Sequence, residues 1–196
     1  MVKINPELIK GNWREGYCLD KHSVSSTPVG IDELGHTKFD TTRTDLGELL
    51  YRYKYKSDKT GFNALIEIIS NFLSERWNPS FDVIVPVPPT KTRAVQPVLE
   101  LCSGIAKKIN KPCEPGCIIK IKETAQAKDI DSREEKKQLI QQAIKIDEGK
   151  VAGKKILVFD DLYGTGATLE AVTDALIKAG AKEVFALAIT RKRGGE

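Results

Sequence analysis

Residues Ile156–Thr168 read ILVFDDLYGTGAT, with Lys154-Lys155 before them and an amphipathic stretch running on to Ala179. An apolar run this short, closed by a small-residue turn, reads as a strand buried on both faces. The strand predicted over Lys154–Asp161 delivers Asp160 and Asp161, side by side, to the carboxyl edge of a sheet. Open α/β folds bind ligands at that edge. Tyr163-Gly164-Thr165-Gly166-Ala167-Thr168 then turns into a helix predicted over Thr168–Ala179, with Gly180 in the C′ position. Gly164 and Gly166 let the backbone approach a ligand closely, and the free N–H groups of a helix start favour an anion. Thr165 and Thr168 add hydroxyl donors, so a phosphate fits the turn. The carboxylates, being acceptor-only groups, suit sugar hydroxyls or a metal-bound polyol. Two common phosphate loops are excluded. No Gly-Lys-Ser/Thr ending follows the turn, and its glycines have the wrong spacing for a dinucleotide fingerprint.

Strand and helix alternate on either side of this block. Downstream, Val184–Ile189 reads as another buried strand. Upstream, Asp82–Val87 (DVIVPV) reads as a buried parallel strand closed by Pro88-Pro89. Val98, Leu99, Cys102, Ile105, Ala106 and Ile109 fall at helical spacing within Val95–Ile109. Cys117–Ile121 is strand-like, and Ser132–Ile144 reads as an exposed helix of mixed charge. The expected fold is therefore α/β, a central mostly parallel sheet flanked by helices. The first 75 residues differ. Trp13, Tyr17 and Leu19 alternate in a strand predicted over Asn12–Asp20, and Lys21–Thr42 reads mostly as loop. Leu46, Leu49, Leu50 and Tyr53 mark a helix that Thr42 or Thr44 could cap, and Phe62–Trp77 a second helix stopped by Asn78-Pro79. Residues 1–75 are expected to form a small N-terminal hood and helices packed on a core of residues 76–196.

With 196 residues, 40% hydrophobic and 30% charged, the composition excludes wholesale disorder. Thirty-one Lys and Arg against 27 Asp and Glu leave a net charge of +4, which suits anionic ligands without arguing for nucleic acid. No apolar stretch reaches the roughly 18 to 20 residues of a spanning helix. Pro6 and Glu7 interrupt the place where a signal peptide needs an apolar run. Cys18, Cys102, Cys113 and Cys117 are too scattered for a disulfide framework, so a reduced, cytoplasmic protein without a membrane partner is expected.

The Ile156–Thr168 block resembles the phosphoribosyl diphosphate (PRPP) signature of type I phosphoribosyltransferases. From about Phe39 to Arg191 the chain is most similar to their ComF family, often described as amidophosphoribosyltransferase-like. Val83–Arg93 (VIVPVPPTKTR), Gln96-Pro97-Val98 and the polar Lys122–Arg133 segment add to the likeness. The resemblance implies a type I phosphoribosyltransferase-like fold that binds PRPP with Mg²⁺ and transfers the phosphoribosyl group to a nitrogen acceptor, releasing pyrophosphate. It implies that Asp160 and Asp161 contact the ribose 2′- and 3′-hydroxyls. Leu162 and Tyr163 would line the sugar site, and Gly164, Thr165, Gly166, Ala167 and Thr168 would hold the 5′-phosphate. Pro88, Pro89 and Thr90 would form the pyrophosphate turn, and Lys122 would open a mobile loop over residues 122–131. Lys91 and Arg93 would stabilise the departing pyrophosphate, and Asp161 is the positional candidate for a general base. Mg²⁺ would be held mainly through PRPP, with no protein metal site.

Three departures from the family accompany these expectations, one being that the pyrophosphate turn offers Arg93-Ala-Val-Gln96 in place of the usual Arg-Gly-Phe-Asn-Gln run. The four-cysteine zinc module of the ComF family has no counterpart here, since Cys18 is the one cysteine in the first hundred residues. Nothing in these 196 residues supplies the glutaminase that the amidophosphoribosyltransferase label implies, so glutamine-dependent chemistry is not expected. The alternative function is a non-catalytic PRPP-sensing or DNA-handling protein of the competence type. A homodimer is left open, and nucleic acid is not the favoured partner. Cys113 and Cys117, with Cys18 and His22, could compose a zinc site, but a turn with incidental thiols is the preferred reading. His22 and His36 are read as solvent-exposed. Trp13 and Trp77 are read as packing residues, with Trp13, Arg14 and Tyr17 as the alternative candidates for a hood over the site, and Arg191–Arg193 as a solvated basic tail.

Overall fold

The computed structural model describes residues 2–33, 35–56, 58–77, 80–89, 96–122 and 132–192. In chain order these give β1 (Glu7–Leu8), β2 (Glu15–Lys21), β3 (Ser23–Ile31), β4 (Thr37–Arg43), α1 (Asp45–Lys56), α2 (Lys59–Arg76), β5 (Val83–Pro86), α3 (Pro97–Lys108), β6 (Ile118–Lys120), α4 (Arg133–Ala143), β7 (Ile144–Ile146), α5 (Glu148–Val151), β8 (Lys155–Tyr163), α6 (Ala167–Lys178) and β9 (Glu183–Arg191). A five-stranded sheet in the order β1-β2-β9-β8-β5 forms the middle layer. β2, β9, β8 and β5 are parallel, and β1 closes one edge antiparallel to β2.

The continuous apolar strands explain the layering. Ile156 and Val158 of β8 face one side with Val184, Ala186 and Ala188 of β9, and α6, α4, α5 and the β6–β7 pair cover them. Leu157 and Phe159 face the other side with Phe185, Leu187 and Ile189, beneath α1, α2 and α3. Helix ends are fixed locally. Thr44, the nearer of the two candidate caps, accepts the Gly47 N–H at 3.0 Å and donates its hydroxyl to the Lys21 carbonyl at 2.6 Å. Asp58 caps α2 by accepting from the Thr60 and Gly61 N–H groups, so this helix starts earlier than its apolar stripe does. α2 ends at Arg76, while Asn78 and Pro79 lie outside the described residues. α6 ends where Gly180 takes φ +89°, the left-handed conformation of a C′ glycine.

The N-terminal third departs from its sequence reading. Lys21–Thr42 is not mostly loop: β3 and β4 pair antiparallel in a two-stranded hairpin. Its side chains are nearly all exposed, so no apolar alternation marks it. Backbone pairing and contacts such as Ser26 Oγ to Thr41 Oγ1, 2.9 Å, hold it instead. The strand predicted from Asn12 begins at Glu15 as β2, and β1 and β2 belong to the central sheet. Trp13 is buried and donates its indole N–H to the Ile9 carbonyl. Arg14 pairs with Glu183 at the start of β9, so this segment sits at the amino edge of the sheet, and Trp13 and Arg14 form no hood over the tandem aspartates. Tyr17 is buried against the Phe72 and Trp77 rings. Cys113 does not pair with Cys117. Its sulfur lies 2.8 Å from that of Cys102 on α3, and Cys117 is buried on the opposite face of the sheet. Among the described residues no helix is long and apolar enough to cross a membrane.

The layering sets an unequal response to truncation. Leu187→Ala, fully buried in β9, is expected to cost about 2–5 kcal/mol of unfolding free energy. Phe39→Ala on the hairpin, where the ring is 57% exposed, should change it by no more than about 0.5 kcal/mol. Urea denaturation of both variants checks the contrast.

Candidate active site

Strand register creates the site. β5 stops at Pro86, opposite Phe159, and the Val87 N–H closes the ladder on the Phe159 carbonyl. β8 continues through Asp160–Tyr163, paired on its other side with β9 as far as Arg191. The strand therefore runs two residues beyond the predicted end at Asp161. Past the end of β5 its free side opens on a cavity of about 430 Å³. Pro88, Pro89, Asp160, Asp161, Leu162, Tyr163, Gly164, Thr165, Gly166, Ala167 and Thr168 all line it. Lys122 is exposed and does not line it, whereas Lys120 does. Thr90, Lys91, Arg93 and segment 123–131 lie outside the described residues.

Gly166 is the N-cap of α6, with φ +83°, and no side chain caps the helix. A Cβ at Gly166 would stand 2.8 Å from the Tyr163 hydroxyl, so both conformation and space require glycine. Gly164 differs. A Cβ there would meet no protein atom within 4 Å, because the position opens into the cavity. The first-turn N–H groups of α6 thus face a ligand-sized space with the positive end of the helix dipole behind them.

The two aspartates occupy unlike environments. Lys54, from the last turn of α1, places its ammonium 2.7 Å from Asp161 Oδ2, with the two side chains 16% and 13% exposed. Asp160 accepts the Asp161 backbone N–H at 2.8 Å. Burial, followed by the neighbouring Asp161 charge, pushes the Asp160 carboxyl up to about 7. His22 is half-buried, not exposed on a loop, and its Nδ1 lies 3.1 Å from Thr190 Oγ1. Burial pushes the His22 imidazole down, helped by Arg43 and Lys54.

Several lining residues carry no sequence signal. Lys54 and Tyr55 come from α1, Lys120 from β6, Lys136 and Ile140 from α4, and Lys192 from just after β9. Lys192 belongs to the stretch read as a solvated tail; in that stretch Arg191 is bonded to Glu7 at 2.8 Å and Arg193 lies outside the described residues. α4 reaches the cavity because Arg133 pairs with Glu170, and Lys137 and Gln141 with Asp174, on α6. Among the described residues the charged lining is four lysines against two aspartates, an excess that suits an anionic ligand. Among the described residues no cluster of three or more His, Cys, Asp or Glu could hold a metal ion.

A parallel sheet with paired acids and a glycine-threonine helix start at its carboxyl edge defines the type I phosphoribosyltransferase fold class. The Phosphoribosyl transferase domain family matches residues 55–196, and the chain belongs to that family. Within it the chain is ComF-like: it is 27% identical over 134 residues to Competence protein ComFC of Bacillus subtilis, a match covering 68% of this chain and 54% of that protein. HGPRTase-like protein 2 of Halalkalicoccus jeotgali is 47% identical over 45 residues, 23% of this chain and 24% of that one. The chain thus spans about half the length of the first relative and a quarter of the second. Among solved structures, the glutamine PRPP amidotransferase of B. subtilis complexed with ADP and GMP shares the fold. The TM-score is 0.51 at 21% identity, covering 81% of this chain and 34% of that one.

The raised Asp160 carboxyl has a consequence for stability. An unfolded aspartate titrates near about 3.9. The folded protein holds this proton more tightly, so stability is lost as pH rises from about 4 to the folded value of about 7. Asp160→Asn is expected to flatten that part of the melting-temperature profile and to melt above the parent at pH 8. A profile as steep as the parent's would contradict the assignment.

Proposed function

We propose that the protein binds PRPP with Mg²⁺ and transfers its phosphoribosyl group to a nitrogen acceptor, releasing pyrophosphate. One arrangement carries this: on a single chain segment, paired carboxylates and a helix start without a side-chain cap open on the same cavity. A ribose 5-phosphate offers the matching handles, a diol and a phosphate. The first-turn N–H groups of α6, with Thr165 and Thr168, would hold the 5′-phosphate, and Asp160 and Asp161 would accept from the 2′- and 3′-hydroxyls. Leu162, Tyr163, Gly164, Gly166 and Ala167 would complete the sugar-phosphate cradle. The diphosphate would lie by Pro88 and Pro89, next to Thr90, Lys91 and Arg93. Among the described residues the cavity is lined by carboxylates and by no thiol or imidazole, a lining that fits an oxygen-ligated Mg²⁺ held mainly through the diphosphate and water. Bound in that way, Mg²⁺ would neutralise charge on the leaving group. As the acceptor nitrogen bonds to C1′, the C1′–O bond breaks and its electron pair leaves with pyrophosphate. The carboxylates would stabilise the positive charge that develops on the ribose ring, and Asp161 is one candidate, by its position at the strand end, to take the acceptor's proton.

The likeness to a competence protein favours a second reading, a PRPP-sensing or DNA-handling protein without turnover. Pyrophosphate release from PRPP and Mg²⁺, assayed against purine and pyrimidine bases and simple amines, separates the two. Acceptor-dependent release supports the transferase. Steeply salt-dependent DNA binding that ignores PRPP supports the other. Thr168→Val is expected to weaken ribose 5-phosphate binding by about 1–3 kcal/mol in calorimetric titration, and unchanged affinity would remove Thr168 from the phosphate site.

A further inference from the structure

We propose that Lys54 is a positioning residue of this site: it anchors one oxygen of Asp161 so that the other is held ready for a hydroxyl of the bound sugar, a role that rests on the sugar-phosphate reading above. The contact is Lys54 Nζ to Asp161 Oδ2, 2.7 Å, between side chains that are 16% and 13% exposed. A pair this shielded from water is screened little, and losing either partner leaves an uncompensated charge.

Both halves of the contact are built into rigid elements. Leu46, Leu50 and Tyr53 sink α1 into the core, and the Tyr53 hydroxyl donates to Glu100 Oε2 on α3 at 2.7 Å. At the start of α1, Gly47 packs so tightly that a Cβ would stand 2.1 Å from the His22 carbonyl oxygen. At its end Arg52 pairs with Asp58, the cap of α2, at 2.6 Å. Lys54 lies in the last turn of α1, where helix carbonyls favour a cation. On the other side, Asp161 is fixed by the β8 ladder, and Thr190 of β9 donates its hydroxyl to the Asp161 carbonyl at 3.4 Å. A lysine from the N-terminal third thus fixes the rotamer of one of two adjacent acids. With Oδ2 committed to the ammonium, Oδ1 is left to accept from a ligand. The unlike environments of Asp160 and Asp161 agree with such a division of labour.

The test is calorimetric titration of ribose 5-phosphate into the parent, Lys54→Met, Lys54→Arg, Asp161→Asn and the Lys54→Met/Asp161→Asn double variant, with inorganic phosphate as a second probe. Lys54→Met keeps the aliphatic stem, and the double variant removes both charges, so the comparison does not depend on the single variant's stability. Lys54→Met is expected to weaken ribose 5-phosphate about tenfold, equal to about 1.4 kcal/mol, and to leave inorganic phosphate within about twofold. Lys54→Arg should restore binding, and Lys54→Met should add no loss once Asp161 is asparagine. Parental affinity in Lys54→Met, equal losses with and without the Asp161 carboxylate, or an equal loss for inorganic phosphate would each overturn the assignment. A parent that binds no ribose 5-phosphate would instead overturn the sugar-phosphate reading, and it would do so before any variant is compared.

Discussion

The difference in length between two neighbouring strands governs this molecule. β5 and β8 pair only as far as Pro86 and Phe159, whereas β8 and β9 stay paired to Tyr163 and Arg191. Beyond Phe159, β8 has a partner on one side and open space on the other. A polar segment can occupy that position because its backbone is half satisfied by β9 and its side chains need not enter the apolar layers. Asp160 and Asp161 fall immediately after the last residue shared with β5. Register therefore decides which side chains line the cavity.

The same extension positions the glycine-threonine turn. Because β8 runs to Tyr163, the turn from Gly164 to Gly166 begins above the sheet, and α6 returns across the face that carries Ile156 and Val158. Tyr163 closes over Gly166 closely enough to exclude any side chain there, which commits Gly166 to a left-handed conformation and aims the helix start at the cavity. Acids and helix terminus are consecutive on one segment, so neither can move without the other. The cations belong to α1, β6, α4 and the residue after β9. They reach the cavity only through tertiary packing.

That division explains what the sequence made legible. Ile156–Thr168 announced strand, acids, turn and helix because each depends on residues adjacent in the chain: apolar continuity, a tandem Asp, glycines, a capless helix start. Val83–Pro89 was legible for the same reason. Lys54 and Lys136 were not, since a lysine on an amphipathic helix reads as solvated face until the packing of that helix is known. The β3–β4 hairpin escaped because its strands bury almost nothing, and without a buried face there is no alternation to read. β2 was visible as alternating Tyr17 and Leu19, but its place inside the parallel sheet was not. That place depends on pairing with β9, more than 160 residues along the chain, and nothing local encodes it.

Two adjacent carboxylates facing one cavity repel, and burial raises the cost of ionising both. The fold meets this by treating them differently. One acid has a lysine at ion-pair distance, and the other is left to backbone N–H contact and a carboxyl pushed upward by burial and by its neighbour. Neither arrangement serves the core, since Ile156 to Phe159 already fill both faces of the sheet beneath them. A site held against its own electrostatic preference is one in which a ligand has something to relieve. Hydroxyl donors arriving at the acids, and an anion arriving at the helix start near Lys120, Lys136 and Lys192, would satisfy opposite charges at two ends of one cavity. The complementary ligand is thus one molecule with neutral donors at one end and concentrated negative charge at the other. A ligand with only one of these properties would leave the opposite half of the cavity unsatisfied.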